Sequence, residues 1–119
     1  VNALFQNCSS LNELKLDNFN TSNVTDFANM FYNCKSLISL NLSSFDTSNV
    51  TVTGGMFMFC YDLKTIYVSD SWNMNNVTKS ENMFRACTLL TGAVPFDSTK
   101  IDVSMANYTT GYLTYKSNN

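Results

Sequence analysis

The chain has 119 residues, with seven lysines and arginines against nine aspartates and glutamates, no histidine, four cysteines and one proline, for a formal charge of -2. That length is one domain, and so few scattered basic residues provide no phosphate-neutralising patch, which excludes nucleic acid as a partner. Without histidine there is no Ser/His/Asp or Cys/His relay and no histidine-based zinc site.

The polar bulk is uncharged: 17 Asn, 14 Ser and 13 Thr, residues whose short side chains bond nearby backbone and favour turns. No apolar run approaches the roughly 20 residues that span a bilayer, so no membrane insertion is expected in this segment. Val1 opens inside a patterned segment with neither a basic nor an apolar leader, and the chain is expected to be a piece of a longer protein.

From the first residues onward the sequence repeats. The motif F-x-x-C stands at Phe5/Cys8, Phe31/Cys34, Phe57/Cys60 and Phe84/Cys87, spaced by 26, 26 and 27 residues. Behind each of the first three cysteines follows C-x-x-L-x-x-L-x-L: Leu11, Leu14 and Leu16, then Leu37, Leu40 and Leu42, then Leu63, Ile66 and Val68. Phe19, Phe45 and Trp72 come next, each five residues before a valine (Val24, Val50, Val77), so the extra residue of the third unit falls between Val68 and Trp72. A repeat of this length cannot bury its own apolar face and must stack on its neighbours.

Within a unit, L-x-L alternates as a short strand does, and equivalent strands are predicted to pair in parallel about 4.8 Å apart. From Thr25 to Cys34 the apolar residues Phe27, Met30, Phe31 and Cys34 fall at i, i+3, i+4 and i+7, which predicts a short helix. Thr25 and Thr78 are placed as its N-caps, Thr78 with Glu81 at capping-box spacing. Gly54 and Gly55 predict a frayed or 3₁₀ turn in the copy between. After Cys87 the frame decays through Ala93 and Pro95. Residues 1–95 are read as the array, about three and a half units, and 96–119 as a C-terminal capping segment. Its aromatic residues are expected to fold back over the last unit. The first face, at Val1, is left uncovered and is a candidate for self-association.

Zinc needs four converging ligands, whereas cysteines 26 residues apart form a line, so no metal is expected. Neighbouring cysteines could reach disulfide distance but point in parallel; the reading is four free buried thiols acting as small hydrophobes. Asn23, Asn49 and Asn76 are read as a ladder of turns whose side chains satisfy backbone groups.

The frame Cys-x-x-Leu-x-x-Leu-x-Leu, then Phe45-Asp-Thr-Ser-Asn-Val-Thr51, then Met-Phe-x-x-Cys, resembles the BspA-type leucine-rich repeat of bacterial surface proteins and mycoplasma-like lipoproteins. The stretch from Asp102 to Lys116, with Ala106 and Gly111-Tyr112-Leu113-Thr114, resembles the segment that closes such arrays. The fold so expected is α/β: a right-handed leucine-rich-repeat solenoid with a short parallel β-sheet on one face, short helices on the other and a C-terminal cap. The resemblance implies an extracellular or bacterial cell-surface location and adhesion to host matrix or plasma proteins such as fibronectin and fibrinogen. It brings neither catalytic residues nor a cofactor.

The outward positions between the inward leucines align as rows: Glu13, Ser39 and Thr65 in one, Lys15, Asn41 and Tyr67 in the next, flanked by Asn12, Ile38 and Lys64. Repeat proteins use such sheet faces for partners, and Tyr67 and Ile38 are the kind of exposed apolar groups that anchor interfaces. The candidate protein-binding face is therefore Glu13, Lys15, Ile38, Ser39, Asn41, Lys64, Thr65 and Tyr67, and the expected function is non-enzymatic protein binding. The competing readings are a spacer with no ligand of its own and an enzyme using a carboxylate pair such as Asp62 with Asp70.

Overall fold

The L-x-L alternation becomes strand in the middle of the chain. In the computed structural model, which describes residues 4–8, 14, 16, 17 and 19–118, β1 (Ser39–Asn41) and β2 (Thr65–Val68) run parallel. Ser39 lies opposite Thr65, Leu40 opposite Ile66 and Asn41 opposite Tyr67, each pair offset by one 26-residue period. A third strand, β3 (Thr114–Tyr115), pairs in parallel with the other edge of β2, Tyr67 opposite Thr114 and Val68 opposite Tyr115, giving the order β1-β2-β3. Leu40, Ile66 and Val68 are fully buried on one side of this sheet.

The expected right-handed leucine-rich-repeat solenoid, with short helices on the face opposite the sheet, is not the fold. Among the described residues the only helix is a three-residue 3₁₀ turn, Val103–Met105, and the chain measures 29 × 29 × 28 Å, with no long axis. The N-cap roles of Thr25 and Thr78, and the capping box with Glu81, fall with the helices.

The cause is local backbone conformation. Asn29 and Asn33 have φ of 58° and 64°, and the same two positions in the next units are Gly55 (65°) and Phe59 (65°), then Asn82 (57°) and Ala86 (66°). A left-handed residue breaks a right-handed helix at that point, and two of them four residues apart leave room only for turns. Alternate N–H groups then take different partners. Those of Met30, Tyr32 and Cys34 bond back to the carbonyls of Phe27, Asn29 and Phe31, at 3.2, 3.1 and 3.2 Å. Those of Phe27, Asn29, Phe31 and Asn33 bond across to Val52, Gly54, Met56 and Met58 of the following segment, at 2.8–3.0 Å. In that segment Thr53, Gly55, Phe57 and Phe59 repeat the arrangement toward Lys79, Glu81, Met83 and Arg85. From Phe27 to Cys34 every backbone donor is thus used without a helix, the Ala28 N–H going to the Asp26 carboxylate at 2.8 Å, as burial requires.

Gly55 meets a further constraint there, because a Cβ on it would collide with the side-chain oxygen of Asn29. Ala86 has no such reason to be other than glycine or asparagine, and holding alanine at φ 66° costs roughly 1–2 kcal/mol. Ala86→Gly is expected to raise stability by about 1 kcal/mol after the entropy of glycine is counted, read as a higher urea midpoint; an unchanged or lower midpoint would refute the left-handed turn.

The core is a set of ladders. Phe5, Phe31, Phe57 and Phe84 stack face to face, with ring centroids 5.7, 5.7 and 5.5 Å apart and interplanar angles of 6°, 5° and 12°. Tyr112 then packs edge-on against Phe84 at 5.3 Å and tilted against Phe96 at 5.6 Å, its hydroxyl donating to the Lys100 carbonyl (2.7 Å) and accepting the Asp97 N–H (2.9 Å). The C-terminal segment comes this close because residue 92 is glycine: a Cβ there would run into the backbone of Tyr112 and Leu113.

All four cysteines are free, Cys34, Cys60 and Cys87 buried and Cys8 half-buried. The thiols do more than fill space. The S–H of Cys34, Cys60 and Cys87 donates to the carbonyl oxygens of Phe5, Phe31 and Phe57 at 3.0, 3.1 and 2.9 Å, tying each unit to the previous one. Asn49 and Asn76 do the same on the surface, their side-chain amides donating to Ser22 and Ser48 carbonyls, both at 2.7 Å.

Candidate protein-binding face

The outward side of the sheet carries Ser39, Asn41, Thr65 and Tyr67, and Ile38 and Lys64 immediately precede β1 and β2. Ile38 is 49% exposed, Ser39 and Lys64 are exposed, and Asn41, Thr65 and Tyr67 are half-buried. Glu13, Lys15 and Asn12 lie outside the described residues, as do Leu11 of the first leucine frame and residues 1–3, where the uncovered face was expected. The strand register brings the rest together: Ser39 beside Thr65, Asn41 beside Tyr67. Lys64 is joined to Ile38 through its N–H, which donates to the Ile38 carbonyl at 2.8 Å.

The third strand adds residues that the repeat pattern does not reveal. Thr114 stands next to Tyr67, and Lys116, anchored by its N–H on the Val68 carbonyl at 2.8 Å, places its ammonium 5.2 Å from the centre of the Tyr67 ring. That cation–π contact is worth roughly 0.5–1 kcal/mol at an exposed site and biases both side chains toward this arrangement. In the sequence this strand shows only as the run Leu113-Thr114-Tyr115, in a segment without a repeat partner.

The polar groups of the face are partly committed. The side-chain oxygen of Asn41 accepts the N–H of Ser43 at 3.0 Å, closing the turn after β1, whereas Ser39, Thr65 and Lys64 stand along the surface. Among the described residues the carboxylates lie off these rows. Asp46, Asp97 and Asp102 each accept the N–H and the hydroxyl of the residue two positions on, Ser48, Thr99 and Ser104, at 2.6–3.0 Å. These bonds hold all three below the usual carboxylate range, as hydrogen bonds to the charged form do. Asp70 accepts the Tyr115 hydroxyl at 3.4 Å.

Among the described residues no group of three or more histidine, cysteine, aspartate or glutamate side chains converges to hold a metal, and no helix is long and apolar enough to cross a membrane.

Compared with known proteins, residues 1–117 match the family described as Mycoplasma protein of unknown function, DUF285. No curated protein and no solved structure matches the chain.

Proposed function

The chain belongs to the DUF285 family of Mycoplasma proteins, and from that premise we propose that it is a non-enzymatic protein-binding module of a bacterial cell-surface or secreted protein, related to the BspA-type repeats, whose partner is a host matrix or plasma protein. The observation that supports this reading is the sheet face. Ile38 is exposed at one edge, Lys116 holds Tyr67 on the far side, and small polar residues, Ser39 and Thr65, lie between them in register. An aromatic anchor with adaptable hydroxyls around it suits protein recognition, since a ring already restrained by a neighbour loses less further entropy on binding.

The test is binding of the chain to immobilised fibronectin, fibrinogen and other matrix proteins at physiological salt, with Ile38→Ala/Tyr67→Ala alongside. Saturable binding is expected, weakened at least tenfold in the double variant while its unfolding transition stays cooperative. Absence of binding across the panel would favour a spacer without a ligand of its own, and binding unaffected by the double variant would place the interface elsewhere.

A further inference from the structure

The extra residue of the third unit lies between Val68 and Trp72, and there the surface opens into a groove of about 510 Å³, within the range of small-ligand sites. Its lining includes Asp70, Trp72, Met74, Val103, Ala106 and Tyr108. None of the residues in the rows of the sheet face lines the groove, and nothing in the sheet-face reading depends on it.

The groups lining the groove determine what it can take. The indole N–H of Trp72 is spent on the Ala106 carbonyl at 3.0 Å, so what the ring has left to offer is its carbon surface and π density. Two of the three amides are partly spent as well: the Asn73 oxygen accepts the Asn75 N–H at 2.8 Å, the Asn107 oxygen accepts the N–H groups of Thr109 and Thr110, and the Asn107 nitrogen donates to the Ser104 carbonyl. A sugar, which needs several such amides to read its hydroxyls, finds the oxygens of Asn73 and Asn107 already engaged and only Asn75, at the exposed rim, beside them. Asp70 is the one charged residue in the lining, with no lysine or arginine to receive an anion. Tyr115 holds this carboxylate by its hydroxyl at 3.4 Å and packs on Tyr108 with ring centroids 5.1 Å apart, so carboxylate and aromatic wall form one connected unit.

We propose that the groove beside Trp72 binds an alkylammonium group, with Trp72 and Tyr108 as the aromatic walls and Asp70 as the counter-charge. Aromatic faces attract an organic cation through their quadrupole, most strongly for tryptophan, and a carboxylate at the same mouth adds a Coulomb attraction that a neutral ligand of equal shape does not feel. The same chemistry is carried by a choline headgroup and by a lysine side chain.

Trp72 is the only tryptophan in the chain and reports directly on the groove by its fluorescence. Choline chloride and the amide of Nα-acetyl-lysine are titrated at constant ionic strength against 3,3-dimethylbutan-1-ol, the uncharged isostere of choline. Saturable quenching by at least one cation is expected, the tighter of the two identifying the source of the ammonium. The isostere should bind at least about tenfold more weakly, and Asp70→Asn and Tyr108→Leu should each weaken cation binding by about fivefold, as removal of one such contact does. The full chain is used throughout, and an unchanged unfolding midpoint in Asp70→Asn, an isosteric change at an exposed position, separates loss of site from loss of fold. Equal binding of the isostere, quenching that never saturates, or cation affinity unchanged in both variants would overturn the proposal.

Discussion

Phe57→Ala is expected to lower the free energy of unfolding by about 4 kcal/mol, the range for deleting a fully buried phenylalanine. Phe57 is fully buried and lies inside the ladder, with Phe31 stacked on one face at 5.7 Å and Phe84 on the other at 5.5 Å. Truncation therefore removes two ring contacts, worth roughly 0.5–1.5 kcal/mol each beyond the lost burial. The neighbouring turns limit how far the cavity can collapse, because the Phe57 N–H is bonded to Met83 at 2.9 Å and its carbonyl accepts the Cys87 thiol at 2.9 Å. A domain of this size has about 5–15 kcal/mol in total, so the variant should be close to unfolding at 37 °C. Urea denaturation measures the difference, with Tyr61→Ala, at a ring 41% exposed, as the comparison; it should lose less than about 1 kcal/mol. Similar losses in the two variants would contradict the ladder.

The same ladder shows how far the sequence could be read. The spacing of the phenylalanines, cysteines and leucines carries the register directly: equivalent positions 26 apart pair as Ser39 with Thr65 and Leu40 with Ile66. The helices were misread for a definite reason. Phe27, Met30, Phe31 and Cys34 have helical spacing, but two turns made by left-handed residues four apart bury the same four side chains. The warning lay in the positions between, Asn29 and Asn33, then Gly55, then Asn82, residue types that tolerate positive φ. Phe59 and Ala86 in the matching slots conceal it, since neither residue type announces a left-handed turn.

The binding face was legible only where it repeats. Its third row comes from Thr114 and Lys116, in a segment that has no counterpart upstream, and is placed by the close approach that Gly92 permits. The groove beside Trp72 was hidden for a related reason. It joins the irregular insertion after Val68 to Val103, Ala106 and Tyr108, two non-repeating stretches whose adjacency no periodicity encodes.

Raising the pH should weaken the fold through its cysteines. Burial pushes the Cys34 thiol up to about 11 and the Cys87 thiol up to about 12. Cys60, between them, is raised further, first by burial and then by the neighbouring thiols Cys87 and Cys34. Each donates its S–H to a phenylalanine carbonyl, a bond that exists only while the thiol keeps its proton. In the unfolded chain the thiols ionise near pH 9, so above that pH the unfolded state holds fewer protons than the folded one and stability must fall. It is fully present below about pH 8 and declines from about pH 9 toward the folded-state values, by roughly 1.4 kcal/mol per thiol per pH unit. Cys60 and Cys87 together should remove about 3 kcal/mol by pH 10, and Tyr112, raised chiefly by burial, adds to the decline at higher pH. Urea midpoints taken under reducing conditions at pH 7, 8, 9 and 10 follow the loss. Cys60→Ala/Cys87→Ala should start lower, because two buried side chains are cut back, yet lose markedly less between pH 8 and 10; equal slopes in the two proteins would show that the buried thiols are not what the alkaline transition titrates.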